Sequence, residues 1–433
     1  MTAARDRPPT VDAGRVLRAA EAAAPVHAVE QAAQELGSAF GAVSVSFLIA
    51  DLSGRALVRL AHVPLQAGAP GSPAPLATGE RREDEEAATV LPFDGGPEEQ
   101  AVRTQTVLAL PSEDVAAQGF WRVLAPVTER GESIGLLELH LPEEPGHEVM
   151  AQVGEMAHVL AFVVIANRRH TDLFEWGQRG RAFSLSAEIQ QRLLPAARTC
   201  EAAAFTLAGW LEPAATIGGD TFDYSLARDI LHLSLTDAMG HGVDAALTAS
   251  MCVGSLRGAR RRGLSLLDQV RAANDELSEH ASDAFVTGLV ARLDLRTAAL
   301  EVVNAGHVAP YLLRGTDVSA LALRVDLPLG MFAGSTYGSS TLTLDPGDRI
   351  VLVTDGMLER KVASIDLPGT IRGTKDLHPR EVVRALADGA LAAAGDTLQD
   401  DATILCVDWH GRHEQSRVVV SGAEPRRASR PLE

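Results

Sequence analysis

The chain has 433 residues, 46% of them hydrophobic, enough for two or three domains that each bury a core. A formal net charge of −18, from 39 basic and 57 acidic residues, argues against nucleic-acid binding through a basic surface and against docking on anionic lipid. Three widely separated cysteines, Cys200, Cys252 and Cys406, argue against a disulfide framework, and no Cys-x-x-Cys supports a zinc site.

The first ten residues carry no apolar segment after their charges, so they do not read as a signal peptide. The longest apolar stretch, "HVLAFVVIA" (158–166), is too short to span a bilayer. The expectation is a cytoplasmic protein without membrane or nucleic-acid partners.

Residues 14–37 hold helical spacing through Val16, Leu17, Ala20, Val29, Ala33 and Leu36. Alternating runs follow at 42–51 and 54–63, joined by a short turn. Residues 66–86 change to Pro, Gly and then charge, which predicts a long insertion. Strand patterns return at 107–111, 120–129 and 132–142, and a helix over 147–170 closes the unit. This α+β module, and its tail "GESIGLLELHLPEEPGHEVMAQVGEMAHVLAFVVIANRR" above all, resembles a GAF domain. The resemblance implies a GAF-like sensor domain over 13–168, with a small-molecule effector or a role in dimerisation.

Residues 169–197 are expected as a connecting signalling helix: Leu173, Trp176 and Phe183 share one face, and Pro195 stops the pattern. Pairing of this helix with its copy would make a homodimer. Gly177 and Gly180 oppose a long continuous coiled coil.

From 203 onward strands dominate, at 204–211, 222–227, 229–238, 285–295, 299–307, 309–314, 348–356 and 402–409. Helical stretches at 242–261 and 264–280 come together, and another at 378–394 precedes the last strand. Clustered rather than alternating helices predict two antiparallel sheets flanked by helices, not a doubly wound sheet. This domain is expected over 198–410, with 411–433 as a disordered tail.

Four acidic positions stand where strands run out: Asp220 in "IGGDTFDY", Asp237 in "LSLTDAMGHG", Asp355 in "LVTDGMLE", and the pair Asp400–Asp401 in "LQDDATILC". A lone aspartate at a strand end makes a turn or caps a helix. Four such positions in one domain can converge at one edge of a sandwich. Carboxylates without His or Cys suit hard cations such as Mg²⁺ and Mn²⁺. Two such ions, roughly 3.5–4 Å apart, can clamp a phosphoryl group and activate water.

The order of "AEIQQRLLP" (187–195), "IGGDTFDY" (217–224), "LTDAMGHGVDAALTAS" (235–250), "FVTGLVARLDLRTAALEVVNAGHVAPYLLR" (285–314), "LPLGM" (327–331), "GDRIVLVTDGMLER" (347–360) and "DDATILCVDW" (400–409) resembles the SpoIIE/RsbU-type protein serine phosphatases. These are the bacterial branch of the PPM, or type 2C, phosphatases. The resemblance implies two Mn²⁺ or Mg²⁺ ions bridged by Asp237. The backbone carbonyl of Ala238 and the carboxylate of Asp220 would serve one ion, and Asp355 the other. The last ligand is Asp400 or Asp401. Asp223, Gly240, His241, Glu359, Asn304 and His307 are expected in supporting or structural roles. The implied reaction is hydrolysis of phosphoserine or phosphothreonine by an activated water, without a covalent intermediate. The implied substrate is a phosphorylated STAS-type anti-anti-sigma factor. The alternative is a catalytically silent scaffold that keeps the fold, against which the intact acids stand.

In "TDAMGHG" the histidine arrives later than in the type 2C enzymes, where Gly-His directly follows the bridging aspartate. Met239 takes that histidine's position here, so His241 is expected to shape or cap the helix entry rather than donate a proton.

Overall fold

Pro25 divides the first helical stretch. The residue before a proline is pushed toward extended backbone, so the chain forms two helices, α1 (Ala13–Ala22) and α2 (Ala28–Ala39), where continuous spacing predicts one. The computed structural model describes residues 11–66, 90–112, 119–179, 184–212, 218–281, 284–358, 362, 365–395, 398, 400–411, 419–424 and 427. Most of the expected insertion at 66–86, and Glu359, lie outside them. The described residues divide into two compact units, one within Met1–Ala182 and Val418–Glu433, the other within Phe183–Arg417.

In the first unit α2 leads into β1 (Ser44–Ala50) and β2 (Ala56–Pro64). After the undescribed stretch come β3 (Val90–Pro92), α3 (Pro97–Thr104), β4 (Leu108–Pro111), β5 (Trp121–Glu129) and β6 (Glu132–Leu141). Helix α4 (His147–Asn167) follows. The strands make one antiparallel sheet in the order β3-β2-β1-β6-β5-β4. Strand alternation sends Val45, Phe47 and Ile49 into a core with Leu36 of α2 and Ala157 and Leu160 of α4. Leu48 points the other way, to Leu57, Leu124, Leu136 and Val102 of α3. By length and composition α4 is long and apolar enough to cross a membrane, longer than the run that stands out in the sequence. Here Val153, Ala157, Leu160, Ala161 and Val164 bury one face of it in the unit's core.

The expected continuous connector is two separate helices. The first, α5 (Leu173–Gly177), ends where Gln178 turns back on the first unit. The backbone carbonyl of Gln178 accepts from Leu52 N at 2.8 Å, and its side-chain amide donates to the carbonyl of Ala50 at 3.3 Å. The second, α6 (Leu185–Leu193), starts with Ser184 accepting from Ala187 N. Residues 180–183 between them lie outside the described residues. The expected disordered tail also needs correction. Gly422 accepts from Gly131 N at 3.2 Å, Val420 and Ala423 pair with each other, and Ala423 is buried, so this apolar stretch belongs to the first unit's packing.

The second unit continues from α6 with β7 (Thr199–Glu201), β8 (Phe205–Glu212), β9 (Gly219–Leu226) and β10 (Ile230–Ala238). Helices α7 (Gly242–Arg261) and α8 (Leu266–His280) precede β11 (Val286–Asp294) and β12 (Ala299–Ala305). Short strands β13 (Tyr311–Arg314), β14 (Asp317–Ala320), β15 (Val325–Asp326) and β16 (Ser340–Thr343) lead to β17 (Arg349–Val353). Then come α9 (Leu367–Gly373), α10 (Pro379–Ala394) and β18 (Ala402–Trp409).

Two sheets result. One has the order β15-β12-β11-β10-β9 with β16 beside β12, and the other β14-β13-β17-β18-β8-β7. Leu231, Leu233 and Leu235 of β10 and Leu289 and Leu293 of β11 meet Leu207 and Leu211 of β8 and Leu405 and Val407 of β18. Each such leucine contributes about 1.5–3 kcal/mol by leaving water. Helices cover both outer faces. Cys252, Leu256 and Val270 of α7 and α8 pack on Val290 and Val303. Ile371 of α9 and Val383 and Leu386 of α10 pack on Ile404 and Cys406. This is the expected sandwich of two sheets flanked by helices, antiparallel throughout except where the two-residue β15 runs parallel to β12.

Candidate metal centre

Register brings the first two acids together. On the antiparallel pair β9 and β10, Asp220 stands directly opposite Asp237, and Gly219 opposite Ala238. Strand β17 ends at Val353, so Asp355 opens a single 3₁₀ turn just beyond it. Strand β18 pairs with β17 and begins at Ala402, immediately after Asp400 and Asp401. The acids of both sheets therefore leave at one edge of the sandwich.

Asp220 ties the two sheets across that edge. Its side chain is 3% exposed, and its Oδ2 accepts from the Thr354 and Thr403 hydroxyls, both at 2.7 Å. The two threonines are themselves linked, with Thr403 N donating to Thr354 Oγ1 at 2.9 Å. Close approach explains the glycines beside the acids. A Cβ on Gly219 would lie 2.6 Å from the carbonyl oxygen of Ala238, and one on Gly356 would lie 2.1 Å from the carbonyl oxygen of Asp401.

The last two acids differ sharply. Asp401 is 1% exposed and turns inward, where its Oδ2 accepts from Gln190 Nε2 at 2.6 Å and from Gly218 N at 3.1 Å. Asp400 is exposed, and its Oδ1 accepts from Asp401 N at 2.8 Å.

Carboxylate charge accumulates here. Burial, and then the charges of Asp237 and Asp401, push the pKa of Asp220 well above the ordinary carboxylate range. Burial, and then the charges of Asp355, Asp400 and Asp401, push Asp237 up to about 7. Burial, with a contribution from Asp355, also raises Asp400. Among the described residues no lysine or arginine forms an ion pair with Asp220, Asp237, Asp355 or Asp400. A hard divalent cation fits this donor set, since such ions take carboxylate and carbonyl oxygens. Among the described residues no three acidic or histidine side chains close into a ready cage. An ion here would draw on the Ala238 carbonyl and on waters as well, as Mg²⁺ commonly does.

The remaining sequence-derived residues separate by place. Asp223 is buried away from the acids and pairs with Arg257 at 2.8 Å and Arg260 at 3.0 Å, fastening α7 to β9. Asn304 and His307 close a turn on each other: His307 N donates to Asn304 Oδ1 at 2.7 Å, and Asn304 Nδ2 donates to the His307 carbonyl at 2.9 Å. His307 Nε2 donates to the carbonyl of Val353 at 3.2 Å, so Nδ1 accepts from Thr287 Oγ1 at 2.7 Å. Burial lowers its pKa to about 4, so it stays neutral while holding the end of β17.

His241 occupies the N-cap position of α7 in extended backbone, but its side chain makes no capping hydrogen bond. Of the expectation that it shapes or caps the helix entry, side-chain capping is corrected, while its backbone does stand at that entry. Gly240 and Gly242 on either side have φ of 98° and 76°, so left-handed glycines form the corner. Sequence reasoning also missed the hydroxyls of Thr354 and Thr403, each one or two residues from an acid, and the amide of Gln190.

Two sheets with helices on both outer faces, and acids gathered where the strands end, are the arrangement expected of a PPM-type phosphatase domain. Residues 228–410 match the family described as Stage II sporulation protein E (SpoIIE). The chain is 25% identical over 255 residues to protein IcfG of Synechocystis sp., covering 51% of this chain and 40% of that protein. It is 23% identical over 228 residues to the phosphoserine phosphatase RsbU of Bacillus subtilis, covering 51% of this chain and 68% of RsbU. The solved RsbU and RsbW domains of Rv1364c from Mycobacterium tuberculosis align at 24% identity with a TM-score of 0.44, over 49% of this chain and 62% of that one. The chain therefore spans less than half the length of IcfG and about two thirds of RsbU.

Proposed function

We propose that the chain is a metal-dependent protein phosphatase that removes phosphate from phosphoserine or phosphothreonine on a small regulatory protein, with a STAS-type anti-anti-sigma factor as the substrate class. The observation that carries this reading is the mutually repelling cluster of buried Asp220, half-buried Asp237 and exposed Asp355 and Asp400, which no described lysine or arginine neutralises. The phosphoserine phosphatase activity in the name of RsbU supports it.

Asp237 would serve both of two Mn²⁺ or Mg²⁺ ions, with the Ala238 carbonyl and the Asp220 carboxylate serving one and Asp355 the other. Asp400 supplies the last carboxylate, because it is exposed and beside Asp355, whereas Asp401 is spent on internal hydrogen bonds. Bound there, the ions supply charge for the phosphoryl oxygens and a water acidic enough to attack near neutral pH. Thr354 and Thr403 hold the Asp220 carboxylate in one orientation, and His307 holds the strand end that leads to Asp355.

The first unit is read as the GAF-like input. A small molecule bound there would act through the segment that carries α5 and α6, in a cytoplasmic homodimer. The deciding measurement is phosphate release by the full chain from a phosphorylated STAS protein, in Mn²⁺ and in EDTA. Release that persists at the same rate in EDTA would sink the mechanism.

A further inference from the structure

Gln190 lies on α6, in the sequence "AEIQQRLLP", where nothing in the composition marks it as part of the acidic centre. It is 1% exposed. Its amide Nε2 donates at 2.6 Å to Asp401 Oδ2, which is 211 positions away in the chain, and at 2.9 Å to the backbone carbonyl of Asp220. One NH₂ group thus spans the two sheets at the edge where the acids leave, because Asp220 lies on β9 and Asp401 just before β18.

The consequence follows from chain connectivity. The Asp401 carboxylate receives Gln190 and Gly218 N on one oxygen, while Asp401 N holds the neighbouring Asp400 carboxylate at 2.8 Å. A carboxylate held by charge-assisted donors has a defined orientation. The Asp400–Asp401 turn is therefore held against the strand that carries Asp220. Without the amide, the repulsion among Asp355, Asp400 and Asp237 favours spreading of the turn. The helix is independently seated by Arg257, whose Nη2 donates to the carbonyl of Leu193 at 2.6 Å while the guanidinium pairs with Asp223. Removal of the Gln190 amide alone thus leaves α6 in place.

We infer that Gln190 is a positioning residue of the metal centre: its side-chain amide sets the spacing between the acids of the two sheets. Groups that orient metal ligands typically contribute 10–100-fold to metal affinity. The inference rests on the metal-centre reading above, and one titration separates the two. In the full chain, Mn²⁺ affinity is measured by isothermal titration calorimetry for the wild type and for Gln190→Met, which keeps the side chain's length and apolar body while deleting the donor. The thermal midpoint of each is measured in EDTA. The expected result is Mn²⁺ binding by the wild type and a dissociation constant about tenfold weaker in Gln190→Met. Unchanged affinity with a lowered midpoint in EDTA means that the amide only stabilises the fold, and overturns the inference. Unchanged affinity with an unchanged midpoint overturns it as well. A wild type that takes up no Mn²⁺ overturns the metal-centre reading itself.

Discussion

Asp220 and Asp237 face each other across β9 and β10, and the second of them is held up to about 7 by burial and by the neighbouring carboxylates. Two acids at one register position repel, and a fold that keeps them there with no lysine or arginine paired to them among the described residues is arranged for an external cation. Asp237→Asn removes the carboxylate charge from the proposed bridging position. Phosphate release from the phosphoprotein in Mn²⁺ is expected to fall at least about 100-fold, roughly the loss seen when a transition-state electrostatic group is removed. A variant that keeps most of its rate would take Asp237 out of the bridging position.

His241 sits at the mouth of α7 between two left-handed glycines, with no capping hydrogen bond from its ring. Its chemistry is separable from that of Asp237. His241→Ala is expected to retain its rate within about tenfold, less than the 10²–10⁴-fold that a general acid or base contributes. A loss as large as that of Asp237→Asn, in the same assay, would make the histidine a participant in proton transfer.

Asp400 and Asp401 are adjacent in sequence but opposite in environment. Asp400→Asn is expected to weaken Mn²⁺ binding at least about tenfold more than Asp401→Asn, since each pKa-shifting carboxylate facing the ion contributes directly to its charge. Calorimetric titration of both variants gives the order, and the reverse order assigns Asp401 as the ligand.

Thr403 donates one of the two hydroxyl hydrogen bonds that hold the buried Asp220. Thr403→Val keeps the shape and deletes the donor. A hydrogen bond to a charged group contributes about 1.5–3 kcal/mol, so urea unfolding at pH 7 is expected to show a loss of that size. No loss would mean that Thr354 alone satisfies the carboxylate.

His378 is fully buried at the start of α10. Its Nδ1 accepts from Arg380 N at 3.0 Å, so Nε2 carries the proton toward Glu201 Oε1 at 3.3 Å. Burial lowers its pKa and Arg380 adds to this, while Glu201 and Asp408 act in the opposite sense. A folded-state pKa below the unfolded value means that the unfolded chain binds the proton more readily. Stability is full above the unfolded value of about 6.5 and is lost as pH falls below it. Between pH 7.5 and 5.5 the thermal midpoint of His378→Asn is expected to fall less than that of the wild type. An equal fall would show that other groups carry the acid sensitivity of this unit.

The strand pattern was legible because burial on both faces leaves long apolar runs that stop abruptly at an acid. "DILHLSLTDA" places β10 within one residue of its observed limits and "DRIVLVTDG" places β17 within three, with Asp237 in the last two residues of its strand and Asp355 just past the end of its own. Local chemistry did less well where the partner is distant or the backbone is irregular. Pro25 splits a helix that spacing alone runs together, and Gln178 ends α5 by bonding to a strand turn far away in the chain.

What the sequence determined by itself was the set of acids, their place at strand ends and the sandwich that gathers them, because alternation and apolar run length are properties of neighbouring residues. What only the tertiary structure decided was which of two adjacent aspartates turns inward, which threonines hold Asp220, and that Gln190 reaches across both sheets. Those outcomes depend on register and on donors brought in from more than a hundred positions away, and a one-dimensional pattern does not contain such distances.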